Sequence, residues 1–335
     1  MNGPRNDPHP IPPPLAGEGK GGGVIALCGG IGGAKLALGL SRVIAPADLT
    51  VIVNTADDFE HLGLAVSPDL DTVMYTLAGL DDPRRGWGRR DETWSFISAL
   101  AALGGETWFQ LGDGDLATHV ERTRRLRQGE KLSAITADFC RRLDVAVAIL
   151  PMSDDKVRTR VWTDMGVLDF QDYFVRRRCA PVVRRLDYEG AATARPHDLA
   201  MAALRDSRLR AIVICPSNPL LSIEPMLALP RLREAVAASP APVIGISPII
   251  AGDAVKGPTA KMMAELGIPV TASAVARRYC DLLDGYVVDR ADASDAQELD
   301  VAVMITNTLM RSLADREALA RDVLGHADMV AKAPA

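Results

Sequence analysis

Residues 54–80 hold the densest group of side chains that could do chemistry. The stretch reads NTADDFEHLGLAVSPDLDTVMYTLAGL, and its carboxylates and imidazole belong to Asp57, Asp58, Glu60, His61, Asp69 and Asp71. Carboxylate oxygens bind hard cations such as Mg²⁺, and they also accept hydrogen bonds from polar ligands. The stretch therefore predicts a site for a divalent cation or for a polar ligand.

The elements on either side place this stretch at the edge of a sheet. Residues 49–53, LTVIV, have the β-branched pattern of a strand buried on both faces of a parallel sheet. From Asp71 onward, apolar residues recur at helical spacing, which predicts an amphipathic helix that begins at Asp71. Open α/β sheets bind ligands where such strands end. Asp71 also suits a helix cap, and capping is compatible with binding a ligand.

A glycine motif, CGGIGGAKLALGL, follows a predicted strand at residues 24–27. Glycines let a ligand's phosphates approach the backbone N–H groups at a helix start. The motif is not a Walker A loop, because Leu36 follows Lys35 where that loop has Ser or Thr, and it is not a clean G-x-G-x-x-G fingerprint. It predicts a strand, a tight turn and a helix, with either a phosphate contact or a purely structural role.

Strands and helices alternate along the chain, which predicts a Rossmann-like α/β fold: a mostly parallel sheet with helices on both faces. Short alternating runs at about residues 156–190 predict a small inserted mixed or antiparallel subdomain. We expect one α/β domain at residues 24–330, preceded by a disordered Pro/Gly-rich tail at residues 1–23. Several predicted strands end in polar turns that should share one sheet edge and form a binding crevice: CGGIGG, NTADD, PMSDD, PSNP and SPII.

Composition narrows the functional classes. The 335 residues carry a net charge of −5, which argues against a nucleic-acid binder although arginines bunch locally. The 5 cysteines are widely spaced without a C-x-x-C pair, so they indicate neither a zinc site nor a disulfide framework, and they fit a reducing cytoplasm. No uncharged apolar run reaches the length of about 18 residues that a transmembrane helix needs.

Further candidates for ligand contact have structural alternatives. Trp87 and Trp94 suit either stacking on an aromatic ligand or covering an edge of the core. Asp113 and Asp115 suit a turn or a helix cap as well as a ligand. His119 lies one helical turn further on, and a lone histidine on a helix is more often a structural residue.

Several blocks, taken in order, resemble the 2-phospho-L-lactate transferases, the CofD family of coenzyme F-420 biosynthesis. The resemblance runs from residue 24 to about residue 289. The blocks that carry it are GGIGGAKL, the whole of residues 54–80, WGRRDETW, LGDGDLATH, PMSDD, FQDYFVRRR, PSNPLLSIEPML and SPIIAGDAVKGP.

The resemblance implies a reaction. A phosphorylated three-carbon acid, phosphoenolpyruvyl or 2-phospholactyl, moves from a guanosine-diphosphate-linked donor to the ribityl hydroxyl of the deazaflavin Fo (7,8-didemethyl-8-hydroxy-5-deazariboflavin), and GMP leaves. Attack on a diphosphate needs its charge neutralised, so Mg²⁺ is the expected cofactor. The resemblance also implies a homodimer that acts on small molecules. Charge, hydropathy and cysteine usage predict a cytoplasmic protein that binds neither nucleic acid nor membrane.

The resemblance also implies roles for particular residues. Asp57 and Asp71 are the implied catalytic residues and Mg²⁺ ligands, with Asp58 as an alternative ligand. Glu60 and His61 are expected to shape the loop. The implied contacts to Fo are Asp71, Trp87, Arg90, Asp113, Asp115 and His119, with Trp94 as an alternative to Trp87. The expected nucleotide contacts are Gly29, Gly30, Gly32, Gly33, Lys35, Ser217, Asn218 and Ser247, to which Lys256 could add.

One position departs from the family's pattern. Members usually have GDRD where this chain has GDGD, so Gly114 stands in place of an arginine. If that arginine contacts substrate in relatives, then Arg89, Arg90 or Arg122 would have to substitute here.

Three other functions compete with this one. A nucleotide-sugar-binding relative would share the glycine turn but lack the transferase blocks. A non-catalytic nucleotide-binding regulator would release no GMP from the donor. A dinucleotide dehydrogenase is disfavoured, because no clean G-x-G-x-x-G precedes an acidic residue at the end of the second strand. No single residue indicates which three-carbon acid the donor carries.

Overall fold

Short runs of Val, Ile and Leu form the strands of the structure, a computed structural model that describes residues 22–255 and 257–331. The predicted tail at residues 1–23 lies outside the described residues except for its last two, and so does Lys256. The strands are β1 (Val24–Cys28), β2 (Leu49–Val53), β3 (Phe59–His61), β4 (Leu64–Val66), β5 (Ala148–Pro151), β6 (Arg158–Thr163), β7 (Gly166–Asp169), β8 (Val183–Glu189), β9 (Ala211–Ile214), β10 (Val243–Ile246), β11 (Ile249–Ile250), β12 (Asp253–Ala254), β13 (Gly285–Asp289) and β14 (Ala302–Thr306).

Seven of these strands form one parallel sheet in the order β14-β13-β10-β9-β1-β2-β5. The chain runs outward from β1 to β2 and β5, and it then returns to β9 and runs outward to β14 on the other side. The order therefore reverses between β1 and β9. In open α/β sheets this switch point opens a crevice at the carboxyl ends of the strands, which is where ligands bind.

The helices connect the strands and cover the sheet. They are α1 (Gly30–Val43), α2 (Pro68–Leu77), α3 (Ser95–Ala102), α4 (Asp113–Arg127), α5 (Leu132–Arg142), α6 (Asp198–Leu204), α7 (Glu224–Leu227), α8 (Leu232–Ala237), α9 (Thr259–Glu265), α10 (Ala272–Arg277) and α11 (Leu313–Val330). Single π-helical turns occupy Asp172–Arg176 and Pro219–Ile223.

The sheet separates two hydrophobic cores. In β1, Ile25 and Leu27 point into one core, and Val24 and Ala26 point into the other, because successive side chains of a strand alternate between faces. The first core is closed by α6, α7, α8, α9 and α10, and the second by α1, α2, α5 and α11. Burial on both faces explains why β1 and β2 are apolar throughout.

The predicted insertion is a three-stranded antiparallel sheet in the order β7-β6-β8. Tyr188 on β8 ties it to the main body, since its hydroxyl donates a hydrogen bond to the backbone oxygen of Leu220 at 2.6 Å. The predicted fold class, a Rossmann-like α/β sheet with helices on both faces and a small inserted sheet, is confirmed. In the described residues no helix is long and apolar enough to cross a membrane.

One local prediction was wrong, since residues 59–66 form the β3–β4 hairpin rather than a loop. Ser133 lies inside α5, and its N–H and hydroxyl both donate to Asp154 at 2.8 Å.

Candidate active site at the switch point of the sheet

A cavity of about 570 Å³ opens at the carboxyl edge of the sheet, and we call it the main cavity. Pockets of this size can enclose a whole small molecule. Four of the strand-end turns predicted to converge, CGGIGG, NTADD, PSNP and SPII, contribute to its lining. The PMSDD turn after the edge strand β5 is not part of the lining. Its Asp154 accepts the Ser133 N–H, and its Asp155 accepts the Arg195 N–H.

The glycine turn forms one wall of the main cavity. Gly30 has a φ of +61°, which an L-residue rarely adopts, and its N–H donates to Asp69 Oδ1 at 2.8 Å. Gly29 is equally constrained by space, because a Cβ there would lie 2.5 Å from Ser222 Cβ and 2.7 Å from Asp69 Oδ2. A Cβ on Gly32 would lie 2.3 Å from the backbone oxygen of Pro216. The turn therefore packs directly against the acidic stretch and the PSNP turn.

The PSNP turn follows the neighbouring strand β9 and is hydrogen-bonded to the glycine turn. The Ser217 hydroxyl donates to the backbone oxygen of Gly29 at 2.8 Å and accepts the Gly29 N–H at 3.2 Å. Asn218 Oδ1 accepts the N–H groups of Leu220 and Leu221, which begin a π-helical turn. Asn218 Nδ2 is buried and has no hydrogen-bond partner among the described residues. It lines the main cavity as an available donor.

Three buried carboxylates follow β2, belonging to Asp57, Asp58 and Asp69. Burial raises the pKa of Asp57 well above its ordinary value, and the nearby charge of Asp69 adds to this. Burial likewise raises the pKa of Asp58 to about 7 and that of Asp69 to about 6. In the described part of the chain none of the three forms an ion pair within 4.0 Å, so their charge is poorly compensated. Asp57 and Asp69 line the main cavity.

Asp71 belongs to a second group, which already contains a cation. The buried guanidinium of Arg122 donates to both carboxylate oxygens of Asp71, to Oδ2 at 3.0 Å. His119 lies between two acids, with Nδ1 3.7 Å from Asp71 Oδ2 and Nε2 3.3 Å from Asp115 Oδ2. Asp115 Oδ1 accepts the Tyr75 hydroxyl at 2.8 Å. Although burial opposes it, the hydrogen bond and charge of His119 lower the pKa of Asp115.

Two sets of residues could hold a divalent cation. Asp71, Asp115 and His119 each offer a ligand atom within 4.8 Å of the others. Arg122 neutralises Asp71 there, however, and a second cation would be repelled. Asp57 and Asp69 have raised pKa values and no cation of their own, and Mg²⁺ is bound in proteins through one or two carboxylates. The pair Asp57 and Asp69 therefore fits Mg²⁺ better than the predicted pair Asp57 and Asp71.

Aromatic rings form a further part of the lining of the main cavity, which we call the aromatic wall. They belong to Trp87, Trp108, Phe109, Phe170 and Phe174. Phe170 and Phe174 are stacked, with ring centroids 5.4 Å apart and an interplanar angle of 7°. Trp108 and Phe109 meet edge to face at 5.8 Å. Such a wall suits a planar aromatic ligand.

The predicted site residues divide into two sets. Those that line the main cavity are Gly29, Gly30, Gly32, Lys35, Asp57, Asp71, Trp87, Asp115, His119, Ser217, Asn218 and Ser247. Gly33, Arg90, Trp94 and Asp113 lie outside the lining. Gly33 packs on Cys28 and Ser217 instead, where a Cβ would lie 2.6 Å from each side chain. Asp113 accepts the N–H groups of Ser95 and Phe96 at the start of α3, so it caps that helix.

Arg89 is placed where the family's arginine is missing. Its Nη1 donates to the backbone oxygen of Gly114 at 3.3 Å, and its Cζ would lie 3.4 Å from a Cβ built on Gly114. The same guanidinium lies over the Tyr75 ring, 5.5 Å from its centroid. Of the three candidates to substitute for that arginine, Arg89 is the one in contact with Gly114.

Sequence reasoning missed several residues of the site. Asp69 was noted only as one acid of the stretch, although its helical position, two residues before Asp71, could have suggested a contact with the glycine turn. Arg122 was considered only as a substitute for an arginine absent at residue 114, yet it is 1% exposed and pairs with Asp71. The rings of Trp108, Phe109, Phe170 and Phe174 come from distant segments, and no local pattern marks them.

The fold and the cavity define an α/β protein that binds its ligand at the switch point of a parallel sheet. A family model described as 2-phospho-L-lactate transferase CofD matches residues 24–323. The chain belongs to this family, and it is a transferase of coenzyme F-420 biosynthesis.

Relatives with known names support this membership. The chain is 44% identical over 317 residues to a phosphoenolpyruvate transferase of Kitasatospora aureofaciens, which covers 92% of this chain and 98% of that protein. It is 39% identical over 316 residues to a phosphoenolpyruvate transferase of Mycobacterium leprae, covering 86% and 94%. A solved structure of a UPF0052 family member from Bacillus halodurans has a TM-score of 0.62 over 91% of this chain and 99% of that one. At 16% identity, this last likeness concerns the fold alone.

Proposed function

We propose that this protein transfers a phosphorylated three-carbon acid from a guanosine-diphosphate-linked donor to the terminal ribityl hydroxyl of Fo, with release of GMP. The observation that carries the proposal is the direct contact between the glycine turn and the acidic group: Gly30 N–H donates to Asp69 at the wall of the main cavity. A phosphate lying on the turn would therefore lie beside carboxylates that need a cation. Diphosphate chemistry requires this combination.

The guanosine diphosphate would lie along the glycine and PSNP turns. Backbone N–H groups and the dipole at a helix start attract phosphate, and α1 begins in this glycine turn, where the Gly30 N–H is already donated to Asp69. Lys35 adds a positive charge on the first turns of the same helix. Asn218 Nδ2, which lacks a partner in the described residues, offers a donor to a phosphate or guanine oxygen.

The deazaflavin of Fo would lie against the aromatic wall. Its ring system is planar, and stacking or edge contacts with Trp108, Phe109 and Phe170 would hold it at little entropic cost. The ribityl chain would then extend toward the strand ends and the acidic groups, where Asp57 and Asp71 line the same cavity. This arrangement brings the two substrates together between the two walls.

Asp71 is the residue that we propose holds the attacking hydroxyl. Arg122 fixes the orientation of its carboxylate through two hydrogen bonds. The ribityl oxygen forms a bond to the phosphorus that carries the three-carbon acid, and the bond from that phosphorus to the bridging oxygen breaks. The hydroxyl proton passes to Asp71, and GMP leaves with the bridging oxygen.

Asp57 and Asp69 are the residues that we propose hold Mg²⁺. When bound, the ion would neutralise the charge of the diphosphate and of the leaving GMP. The fit rests on the burial of the two acids, which raises the pKa of each, on their shared place in the lining of the main cavity, and on the contact of Asp69 with the glycine turn. The two hydrogen bonds to Asp69 leave lone pairs free on each of its oxygens.

The test combines turnover with metal binding. Purified protein, Fo, Mg²⁺ and the donor should yield GMP, measured by chromatography, together with a product that has gained the phosphorylated acid. Mg²⁺ alone should raise the melting temperature of the wild type, because a ligand that binds only the folded state stabilises it. Asp57→Asn and Asp69→Asn should each abolish that rise and lower kcat by at least about 100-fold. Asp206→Asn, which changes a surface carboxylate paired with Arg208, should alter neither.

The names of the relatives favour phosphoenolpyruvyl as the transferred group. Mass spectrometry distinguishes the products, because the dehydro product lacks the extra pair of hydrogens of the lactyl product. Competition between the two donors in one reaction would give the ratio of their kcat/KM values directly. We also infer that the protein is a cytoplasmic homodimer. Sedimentation of the purified protein would test the oligomeric state.

One outcome would refute the proposed donor and acceptor. It is a wild type that binds GDP but releases no GMP in the presence of Fo and donor at any Mg²⁺ concentration.

A further inference from the structure

We propose that a small side chamber of the main cavity binds the carboxylate of the three-carbon acid on the donor. The side chamber has a volume of about 80 Å³ and is lined in part by Lys35, Thr72 and Trp87, which also line the main cavity. A cavity needs only about 10–15 Å³ to hold one water molecule, so the side chamber can hold a carboxylate with its attached carbon. This inference rests on the proposed function, which supplies the donor.

Cationic side chains outnumber acidic ones around the side chamber. Lys35 from α1, Arg311 from the segment before α11 and Arg316 from α11 contribute positive charge. Asp81 and Asp82 contribute negative charge. Asp82 Oδ1 already accepts the backbone N–H groups of Arg84 and Arg85, at 2.8 and 3.2 Å, which offsets part of its charge. The balance of charge favours a small anion.

Arg316 provides a donor that the described residues leave unused. Its Nε is buried and has no hydrogen-bond partner among them. Buried donors in proteins are nearly always paired, so an unpaired one next to a cavity indicates a missing acceptor. A carboxylate is the acceptor that a guanidinium pairs with most favourably, because two parallel N–H groups match its two oxygens.

The position of the side chamber suits one part of the donor. Lys35 lies on both walls, so a phosphate on the glycine turn and an anion in the side chamber would lie on either side of it. Its Nζ donates to the backbone oxygen of Met310 at 3.0 Å, which fixes the lysine next to the segment that carries Arg311. In a phosphorylated 2-hydroxy or enol acid, a single carbon separates the phosphate ester oxygen from the carboxylate carbon. The two anions of the donor are therefore close enough for both to approach the one lysine that lines both compartments.

The consequence is a basis for specificity. A donor without the carboxylate would leave Arg316 unpaired in a partly buried place, and polar sites reject ligands that leave their groups unpaired. GDP lacks the acid altogether, so its binding should not depend on the side chamber. The donor and GDP thus form a matched pair of probes.

The experiment uses the full chain with Arg311→Gln, Arg316→Gln and the double variant. The control is Arg321→Gln, which changes an exposed arginine of α11 that pairs with Glu317. Donor KM, measured by GMP release at saturating Fo and Mg²⁺, should rise roughly tenfold to a hundredfold in Arg316→Gln and further in the double variant. The inhibition constant of GDP and the KM of Fo should stay within about twofold of wild type. Arg316→Lys should raise the donor KM less than Arg316→Gln does. Lysine keeps the positive charge, although it lacks the two parallel N–H donors of the guanidinium.

Two results would overturn the inference while leaving the transferase proposal intact. In the first, the double variant keeps the wild-type donor KM. In the second, the GDP inhibition constant rises by the same factor as the donor KM, which would assign these arginines to the nucleotide or to the general shape of the cavity.

A second measurement separates the two proposals. If the wild type shows no turnover, the binding of phosphoenolpyruvate can still be compared with that of inorganic phosphate by calorimetry. Tighter binding of phosphoenolpyruvate that Arg316→Gln removes would support the side chamber although the transferase proposal had failed. Equal binding of the two probes, unchanged by the variant, would refute the side chamber as well.

Discussion

The guanidinium of Arg122, on α4, donates hydrogen bonds to both carboxylate oxygens of Asp71, on α2, and both side chains are buried. The pair joins two helices that lie far apart in the sequence. It also fixes the acid that faces the ligand, because the oxygens of Asp71 cannot turn away without breaking an ion pair out of contact with water.

The first prediction concerns the cost of breaking this pair. Arg122→Met should lower the free energy of unfolding by about 3–5 kcal/mol, because it leaves the Asp71 carboxylate buried without its cation. Urea unfolding followed by circular dichroism measures the change. Arg124→Met, which removes an exposed arginine two residues away, should leave the midpoint close to that of the wild type.

The double variant gives the sharper control. Adding Asp71→Asn to Arg122→Met removes the buried carboxylate that has lost its cation, so the double variant should recover part of the lost stability. If the two single changes simply added, Arg122 and Asp71 would not form an energetically coupled pair, and the orienting role of Arg122 would be wrong.

The second prediction concerns the contact between the glycine turn and Asp69. A methyl group on Gly29 would meet Ser222 Cβ at 2.5 Å and Asp69 Oδ2 at 2.7 Å, so the turn and the carboxylate must move apart. A displacement of this size should lower kcat/KM by about 100-fold. Steady-state assays of Gly29→Ala provide the measurement.

Gly325→Ala is the matched control for this glycine. Gly325 is exposed on α11, and a Cβ there meets nothing within 4 Å. This change should preserve activity and raise stability by about 0.5–1 kcal/mol, because alanine favours a helix more than glycine does. Equal activity of the two variants would show that the close approach at Gly29 is not needed for function.

The sequence predicted the framework well where local pattern decides structure. The apolar runs at residues 24–27 and 49–53 became the strands β1 and β2, within one residue of the predicted ends. The β3–β4 hairpin was missed because its turn residues, Leu62 and Gly63, both have positive φ, at 52° and 71°. Glycine and asparagine are typical there, and leucine gives no such signal.

Local pattern predicted the lining of the cavity where it follows a strand end. Asp57 and Ser217 were expected there because they follow strands, and strand ends meet at one edge. The ion pair of Asp71 with Arg122, and the ring wall with Trp108 and Phe170, depend on packing between distant segments. Charge and aromatic residues in a single sequence do not reveal such partners.

The third prediction concerns stability at low pH. Asp138 accepts hydrogen bonds from Arg125 and Arg142, and, although burial opposes this, these partners lower its pKa. The unfolded chain holds an aspartate near a pKa of about 3.9. The stabilisation from the carboxylate is therefore complete above that value, and it is lost as the pH falls through the lower pKa of the folded state.

Asp138→Asn should consequently have a lower melting temperature than the wild type at pH 7. The difference should shrink as the pH falls below about 4, because the wild-type carboxyl then becomes neutral as well. Calorimetry across this range measures both curves. A gap between the wild-type and variant melting temperatures that stays constant with pH would contradict the assignment of the lowered pKa to Asp138.

The last prediction concerns Gly114 and the arginine beside it. A side chain at residue 114 would begin 3.1 Å from Glu92 Oε1 and 3.4 Å from Arg89 Cζ, both in flexible side chains. Gly114→Arg should therefore lower the melting temperature, because the second guanidinium meets the first. Arg89→Gln with Gly114→Arg should restore it and keep the KM of Fo near the wild-type value, since one guanidinium then remains beside Tyr75. Strictly additive changes in melting temperature would show that side chains at residues 89 and 114 do not compete for the space beside Tyr75.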